Sequence, residues 1–314
     1  MRYRYIGQND SLRALCNDGQ LERAFEVLSY MDGASPSPDT YLCLLRACQK
    51  RKALVQVKRV YSHLVQSEWK FNTYINDYLV MAFAKCGAIE DALDIAHKLP
   101  HRTVYSWTAL ISAYTELGRG QEAVALFQFM QEDGVKPNHY TFVSLLKACG
   151  STSDLEKGRI FHDEARRMGF GVDPILCTTL VSMYGKCGAI TEAENVFASI
   201  SECSTIVWTA MLSVYFEEGQ GYKVLQLFEK MQREYIEPDN VALLCILKAC
   251  GTVQASKEGR IIHEMVMKCG YEKDSNIGNM VVDMYARCGS LDEACKSFYE
   301  LQTRNIVSYG AMIA

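Results

Sequence analysis

Lys85, Lys186 and Arg287 follow one another at steps of 101 residues, and each ends a face written by residues spaced i, i+3, i+7 and i+11, which share one side of a helix. The three faces read Tyr74, Asp77, Met81, Lys85; Ile175, Thr178, Ser182, Lys186; and Asn276, Asn279, Asp283, Arg287. A small polar side chain therefore stands about two helical turns before each cation. Helices stacked side by side would align these cations into a row suited to a line of phosphates. A cation near a helix C-terminus also complements the helix dipole, so position alone leaves both roles open. Glu116 and Glu217 hold the matching place on other helices and interrupt the row. The formal net charge of -4 has the wrong sign for global attraction to a polyanion, so any such site must be locally basic.

Catalytic constellations are missing. His162-Asp163-Glu164 supplies the His-x-Glu half of a zinc deaminase site, but no Cys-x-x-Cys occurs to complete it. His162 and His263 occupy equivalent places and read as hairpin packing. There is no phosphate-binding Gly-rich loop, no Gly-x-Ser-x-Gly elbow and no His-Glu-x-x-His. The expectation is a non-enzymatic segment with no catalytic residue, no metal and no cofactor.

The 101-residue step extends well beyond the cations. Arg46-Ala47-Cys48, Lys147-Ala148-Cys149 and Lys248-Ala249-Cys250 keep it, as do Trp107, Trp208 and Tyr309. Within each super-repeat, Gly or Pro-Asn/Asp turns break the apolar pattern about every 15 to 20 residues. Trp107, Leu110, Ile111 and Tyr114 form one helical stripe, and Ala123, Leu126, Phe127 and Met130 form a second after Gly118. Lys136-Pro137-Asn138 then closes the unit. Trp208, Met211, Leu212, Tyr215 and Val224, Leu227, Phe228, Met231 repeat it, closed by Glu237-Pro238-Asp239. Two antiparallel helices per unit follow, and because one hairpin cannot bury its own apolar faces, neighbours must stack. The predicted fold is all-α, an α-solenoid superhelix of stacked antiparallel helix-turn-helix repeats.

Composition agrees: 49% of residues are hydrophobic and 22% charged, enough for a continuous core. The 13 cysteines recur at matching helix positions and most read as small buried hydrophobes. No apolar run reaches the ~18 residues of a membrane span, so a soluble chain with no membrane partner is expected. MRYRYIGQND is too short and polar for a targeting peptide, and a helix left uncapped at Ala314 leads us to expect that the natural protein continues.

The unit from Val104 to Asn138 resembles a pentatricopeptide repeat, and the resemblance spans the whole chain. Its 101-residue step is similar to the PLS subclass, with P, L and S units of 35, 35 and 31 residues. The P, L and S units are 104–138, 139–173 and 174–204, then 205–239, 240–274 and 275–305. L and S units 38–72 and 73–103 precede them. Residues 5–37 form an atypical first hairpin and 306–314 a truncated P unit. Tetratricopeptide repeats run at 34 residues with a Trp-Leu-Gly-Tyr pattern that is absent here.

This resemblance implies that the fifth and last residues of a unit together select one base of a single-stranded RNA. The pairs are Asn9 with Ser37, Thr108 with Asn138, Thr178 with Ser204, Thr209 with Asp239, and Asn279 with Asn305. The family implies cytosine, adenine, a weak purine preference, guanine and a pyrimidine for them, read 5′ to 3′ from the N-terminus. Amide and hydroxyl groups suit this work because they address base edges by hydrogen bonds. The same residue types are favoured at helix caps and turns. Leu42, Val143 and Leu244 at the fifth positions of L units offer no such group, and Asp77 with Thr103 offers a carboxylate that only accepts. Ile6, Tyr105 and Ile206 sit at the second position, where the family wedges a side chain between bases; packing between repeats is the alternative. Lys85, Lys186 and Arg287 are the candidate phosphate contacts.

The resulting expectation is a sequence-selective RNA binder similar to plant organelle RNA-editing specificity factors. It would position a transcript in a mitochondrion or chloroplast for an editing or deaminase domain lying C-terminal or in trans. A solenoid scaffold that holds another polypeptide is the alternative.

Overall fold

The computed structural model describes residues 2–31, 35–171, 173–200 and 204–313, without the side chains of 2–6 and 272. All regular structure among them is helical. The chain divides into two compact units, Met1–Thr152 and Ser153–Ala314.

The first unit holds α1 (Arg2–Asn17), α2 (Leu21–Ser29), α3 (Pro38–Arg51), α4 (Leu54–Val65), α5 (Thr73–Lys85), α6 (Ile89–Lys98), α7 (Val104–Glu116), α8 (Gly120–Glu132) and α9 (His139–Thr152). The second holds α10 (Leu155–Arg167), α11 (Pro174–Lys186), α12 (Ile190–Ser199), α13 (Thr205–Glu217), α14 (Gly221–Arg233), α15 (Asn240–Val253), α16 (Ser256–Lys268), α17 (Ser275–Arg287), α18 (Leu291–Glu300) and α19 (Ile306–Ile313). A short 3₁₀ turn, Tyr271–Lys273, precedes α17. Within each unit odd-numbered helices pack on the next odd-numbered helix, and even-numbered helices fold back between them. The architecture is a helix-turn-helix repeat solenoid of stacked antiparallel hairpins.

Local chemistry sets the helix ends. Thr103 and Ser106 form a reciprocal capping box at the start of α7, and Asp173 and Asp239 accept from backbone N–H groups at the starts of α11 and α15. After α7 the chain reverses at Gly118, whose φ of +72° is easily reached only without a Cβ. Trp107, Leu110, Ile111 and Tyr114 are all buried, as are Ala123, Leu126, Phe127 and Met130. Tyr215, in the matching stripe of α13, is only half-buried because its hydroxyl reaches out to donate to Glu194 Oε1.

The cysteine expectation holds only in part. Cys16, Cys48, Cys149, Cys177 and Cys250 are buried, but Cys43, Cys86, Cys187, Cys245 and Cys288 are half-buried and Cys269 and Cys295 exposed. All of these are free thiols. Cys86, Cys187, Cys269 and Cys288 each follow the last residue of a helix; Cys203 lies outside the described residues. His162 and His263 are packing residues, but each bridges consecutive hairpins instead of closing one. His162 Nδ1 lies 2.8 Å from Tyr184 Oη, and His263 Nδ1 lies 3.1 Å from Tyr285 Oη. Among the described residues no helix is long and apolar enough to cross a membrane, and no group of three His, Cys, Asp or Glu side chains could hold a metal.

Candidate functional site

Odd-numbered helices form one continuous row in each unit, so side chains at equal distances from their N-termini recur along a common face. The second residue of these helices is the clearest case. Tyr105 and Ile206 are 58% and 65% exposed despite being large and apolar. Tyr74, Tyr140, Ile175, Val241 and Val307 occupy the same place on their helices and are exposed as well. A burial-driven fold leaves such side chains in water in a repeating row only where packing cannot reach them. Sequence reasoning missed Tyr140 and Val241; the second place of each first helix, 35 residues after Tyr105 and Ile206, was the signal that could have found them. The side chain of Ile6 lies outside the described residues.

The fifth residues sit one turn further in and point back toward the next hairpin. Asn9 Oδ1 accepts from Ser37 N at 2.9 Å and from Thr40 Oγ1 at 2.8 Å. Thr108 Oγ1 shares a 2.8 Å hydrogen bond with Thr141 Oγ1, which itself donates to Asn138 Oδ1 at 3.1 Å. Thr209 Oγ1 donates to Asp239 Oδ1 at 3.1 Å. In these three cases the structure joins the two residues of a pair directly or through one side chain. The last residue of each of these pairs also precedes the next first helix. Asn138 accepts from Thr141 N and Asp239 from Ala242 N, so the capping role expected of these types is real.

Two pairs are arranged differently. Thr178 Oγ1 turns back to donate to Pro174 O at 2.8 Å, while Ser204 stays exposed at the N-cap of α13 without a side-chain cap bond. Asn305 accepts from Val307 N and Ser308 N, while Asn279 is only 6% exposed and its Oδ1 has no hydrogen-bond partner among the described residues. Asp77, whose acceptor-only carboxylate gives no base assignment, follows the joined pattern: Thr103 Oγ1 donates to its Oδ2 at 2.8 Å, and its Oδ1 is buried with no hydrogen bond of its own among the described residues. Burial lifts its carboxyl above the ordinary carboxylate range, against the opposing pull of the Thr103 and Ser106 hydroxyls.

Two open cavities gather these groups. In the first unit a cavity of about 490 Å³ is lined by Tyr105, Thr108 and Glu116 of α7, Lys85 of α5, Asn138, and Tyr140, Val143 and Lys147 of α9. In the second, an open cavity of about 790 Å³ is lined by Phe216, Leu244, Lys248, Asn276, Asn279, Asp283, Arg287 and residues of α19. The three expected phosphate contacts differ. Lys85 and Lys186 are exposed with no carboxylate partner among the described residues, whereas Arg287 Nε is paired with Asp283 Oδ2 at 2.8 Å. Chemically, the lining of the first cavity offers two aromatic rings, a hydroxyl, an amide, one carboxylate and two lysines. That set suits a flat, hydrogen-bonding ring attached to an anion.

Residues 102–151 match the PPR repeat family, and 12–34, 175–204, 206–236 and 279–306 match the PPR repeat, together more than half of the chain. The chain is similar to the chloroplastic pentatricopeptide repeat-containing protein CRR2 of Arabidopsis thaliana, 30% identical over 98% of this chain and 48% of that protein. A mitochondrial pentatricopeptide repeat-containing protein of the same plant is 29% identical over 95% of this chain and 48% of its own length. The chain thus spans about half the length of these relatives. Among solved structures, PPR10 in complex with an 18-nucleotide psaJ RNA element superposes with a TM-score of 0.79 at 20% identity, over 98% of this chain and 47% of that one.

Proposed function

Because this chain belongs to the pentatricopeptide-repeat family and is related to plant organellar members of it, we propose that it binds single-stranded RNA with base selectivity. One observation carries the reading: the cavity between α7 and α9 brings Tyr105 and Tyr140, the Thr108–Asn138 pair, and Lys85 and Lys147 to one place. A base between the two tyrosines would meet a hydroxyl and an amide at its edge, while its phosphate would face the lysines. Stacking and edge contacts contribute about 1–3 kcal/mol per base each. The pairs Asn9–Ser37 and Thr209–Asp239 act in the same way at further nucleotides, Thr178–Ser204 and Asn279–Asn305 do so without a hydrogen bond joining their members, and Ile206 serves as a wedge with Lys186 and Arg287 near the backbone.

The 101-residue period supports the PLS subclass, with the units and boundaries given above. In that reading the RNA is positioned for editing or other processing carried out by another domain or protein, in a chloroplast or mitochondrion. The relatives' organellar locations support the compartment. No residue of this segment performs the chemistry.

The test is binding of the chain to a short RNA carrying the implied bases, against one with the Thr108 and Thr209 bases exchanged, at one fixed salt concentration. A tenfold preference or more is expected. Equal or absent binding of both RNAs would sink the base-reading assignment and favour a scaffold that holds a polypeptide.

A further inference from the structure

Resting on the RNA-binding reading above, we propose that Lys147 and Lys248, each at the ninth residue of its helix, hold the RNA backbone, so that the helices lacking a base-reading group serve as phosphate anchors. The distribution of charge among the odd-numbered helices of the two units is the starting point. From α3 to α17, the ninth residue is Arg46, Met81, Ser112, Lys147, Ser182, Ser213, Lys248 and Asp283. Cations occur there on α3, α9 and α15 alone, and these are the helices whose fifth residue is apolar: Leu42, Val143 and Leu244. The two features are complementary: a helix either carries a polar group one turn in or a cation two turns in.

Geometry puts those cations where the other helices need them. In the first cavity α7 supplies the Thr108 hydroxyl but also Glu116, whose charge repels a phosphate. Positive charge at that cavity comes from its neighbours, Lys85 on α5 and Lys147 on α9. Lys147 is exposed and has no carboxylate partner among the described residues. In the second cavity Arg287 is held by Asp283, which leaves Lys248 as a lining cation with no carboxylate partner among the described residues. Its ammonium lies 5.6 Å from the Phe216 ring centroid, so the stem is steered along the cavity wall. Arg46, by contrast, donates to Tyr78 Oη at 2.8 Å and lies over that ring. In a chain with net charge -4, such local cations are what allow a polyanion to settle at all.

The test measures RNA affinity across a salt series for the wild-type chain, for the Lys147→Gln/Lys248→Gln double variant, and for a Lys268→Gln/Lys296→Gln control on the second helices α16 and α18. Glutamine keeps most of each side chain and removes the charge at exposed sites, and melting temperatures check that folding is intact. Removing one lysine–phosphate interaction should lower the slope of log K against log salt by about 0.7. Affinity at moderate salt should fall about two- to fivefold per lysine, with the preference at the Thr108 base unchanged and the control unaffected. Wild-type slope and affinity in the double variant, with base preference intact, would overturn the anchor role and leave the RNA reading standing. Loss of base preference together with affinity would also overturn it, by showing that the lysines shape the base pocket. Failure of the wild-type chain to bind either RNA removes both readings.

Discussion

Thr209 Oγ1 donates a 3.1 Å hydrogen bond to Asp239 Oδ1, and the same carboxylate oxygen accepts from Ala242 N at 2.8 Å. One oxygen thus orients the hydroxyl and caps α15. Asp239 has a second carboxylate oxygen, and Thr209 a hydroxyl whose lone pairs are not consumed by donating. Replacing Thr209→Asn while keeping Asp239 exchanges a hydroxyl for an amide and should move the preference at this nucleotide from guanine toward uracil. Competition binding with the four bases at that one position checks it; an unchanged order of preference would contradict base reading by this pair.

Tyr105 and Tyr140 are exposed, so removing their rings costs little stability. Tyr105→Ala and Tyr140→Ala should each weaken RNA binding about tenfold or more, the scale of removing one ring from a base stack, with melting temperatures near that of the wild type. A large fall in melting temperature with no change in affinity would assign the rings to packing.

Burial holds the His162 and His263 imidazoles below the ordinary histidine range, each against a tyrosine hydroxyl of the following helix. Their folded pKa lies below that of a free histidine, about 6.5. The unfolded chain therefore binds more protons than the native one from about pH 6.5 downward to the native pKa. Stability from these groups is present above that window and is lost as pH falls through it. Thermal melts between neutral and mildly acidic pH should show a declining midpoint, and the decline should shrink in a His162→Gln/His263→Gln variant.

Gly185 lies within α11, where an added Cβ would stand 2.3 Å from Val214 Cγ2 of α13. Alanine favours helix by about 1 kcal/mol over glycine. Val214 is buried and β-branched, so it cannot swing aside, and overpacking of this kind costs about 1–3 kcal/mol. Gly185→Ala should lower the denaturant midpoint, and adding Val214→Ala should recover part of the loss. Additive effects of the two substitutions would show that the helices do not meet there as described.

The helices and their order were legible because their determinants are local. Capping residues such as Asp173 and Asp239, the reversal at Gly118 and the stripe from Trp107 to Tyr114 act within a few residues of chain, and the 101-residue period repeats them. The pairing of Arg287 with Asp283 had a local signal, a spacing of four on one helix face, but the sequence reading passed it over and took Arg287 as a phosphate contact. Tertiary structure decided what depends on the next hairpin. It joined Thr103 to Asp77, left Asn279 Oδ1 without a partner among the described residues while Asn305 capped α19, and turned Thr178 back on its own helix. It also brought Lys147 into the cavity of Thr108, 39 positions earlier in the sequence. Periodicity tells which side chains share a helix face, but a cavity between helices forms from several faces at once, and only their packing selects which side chains meet there.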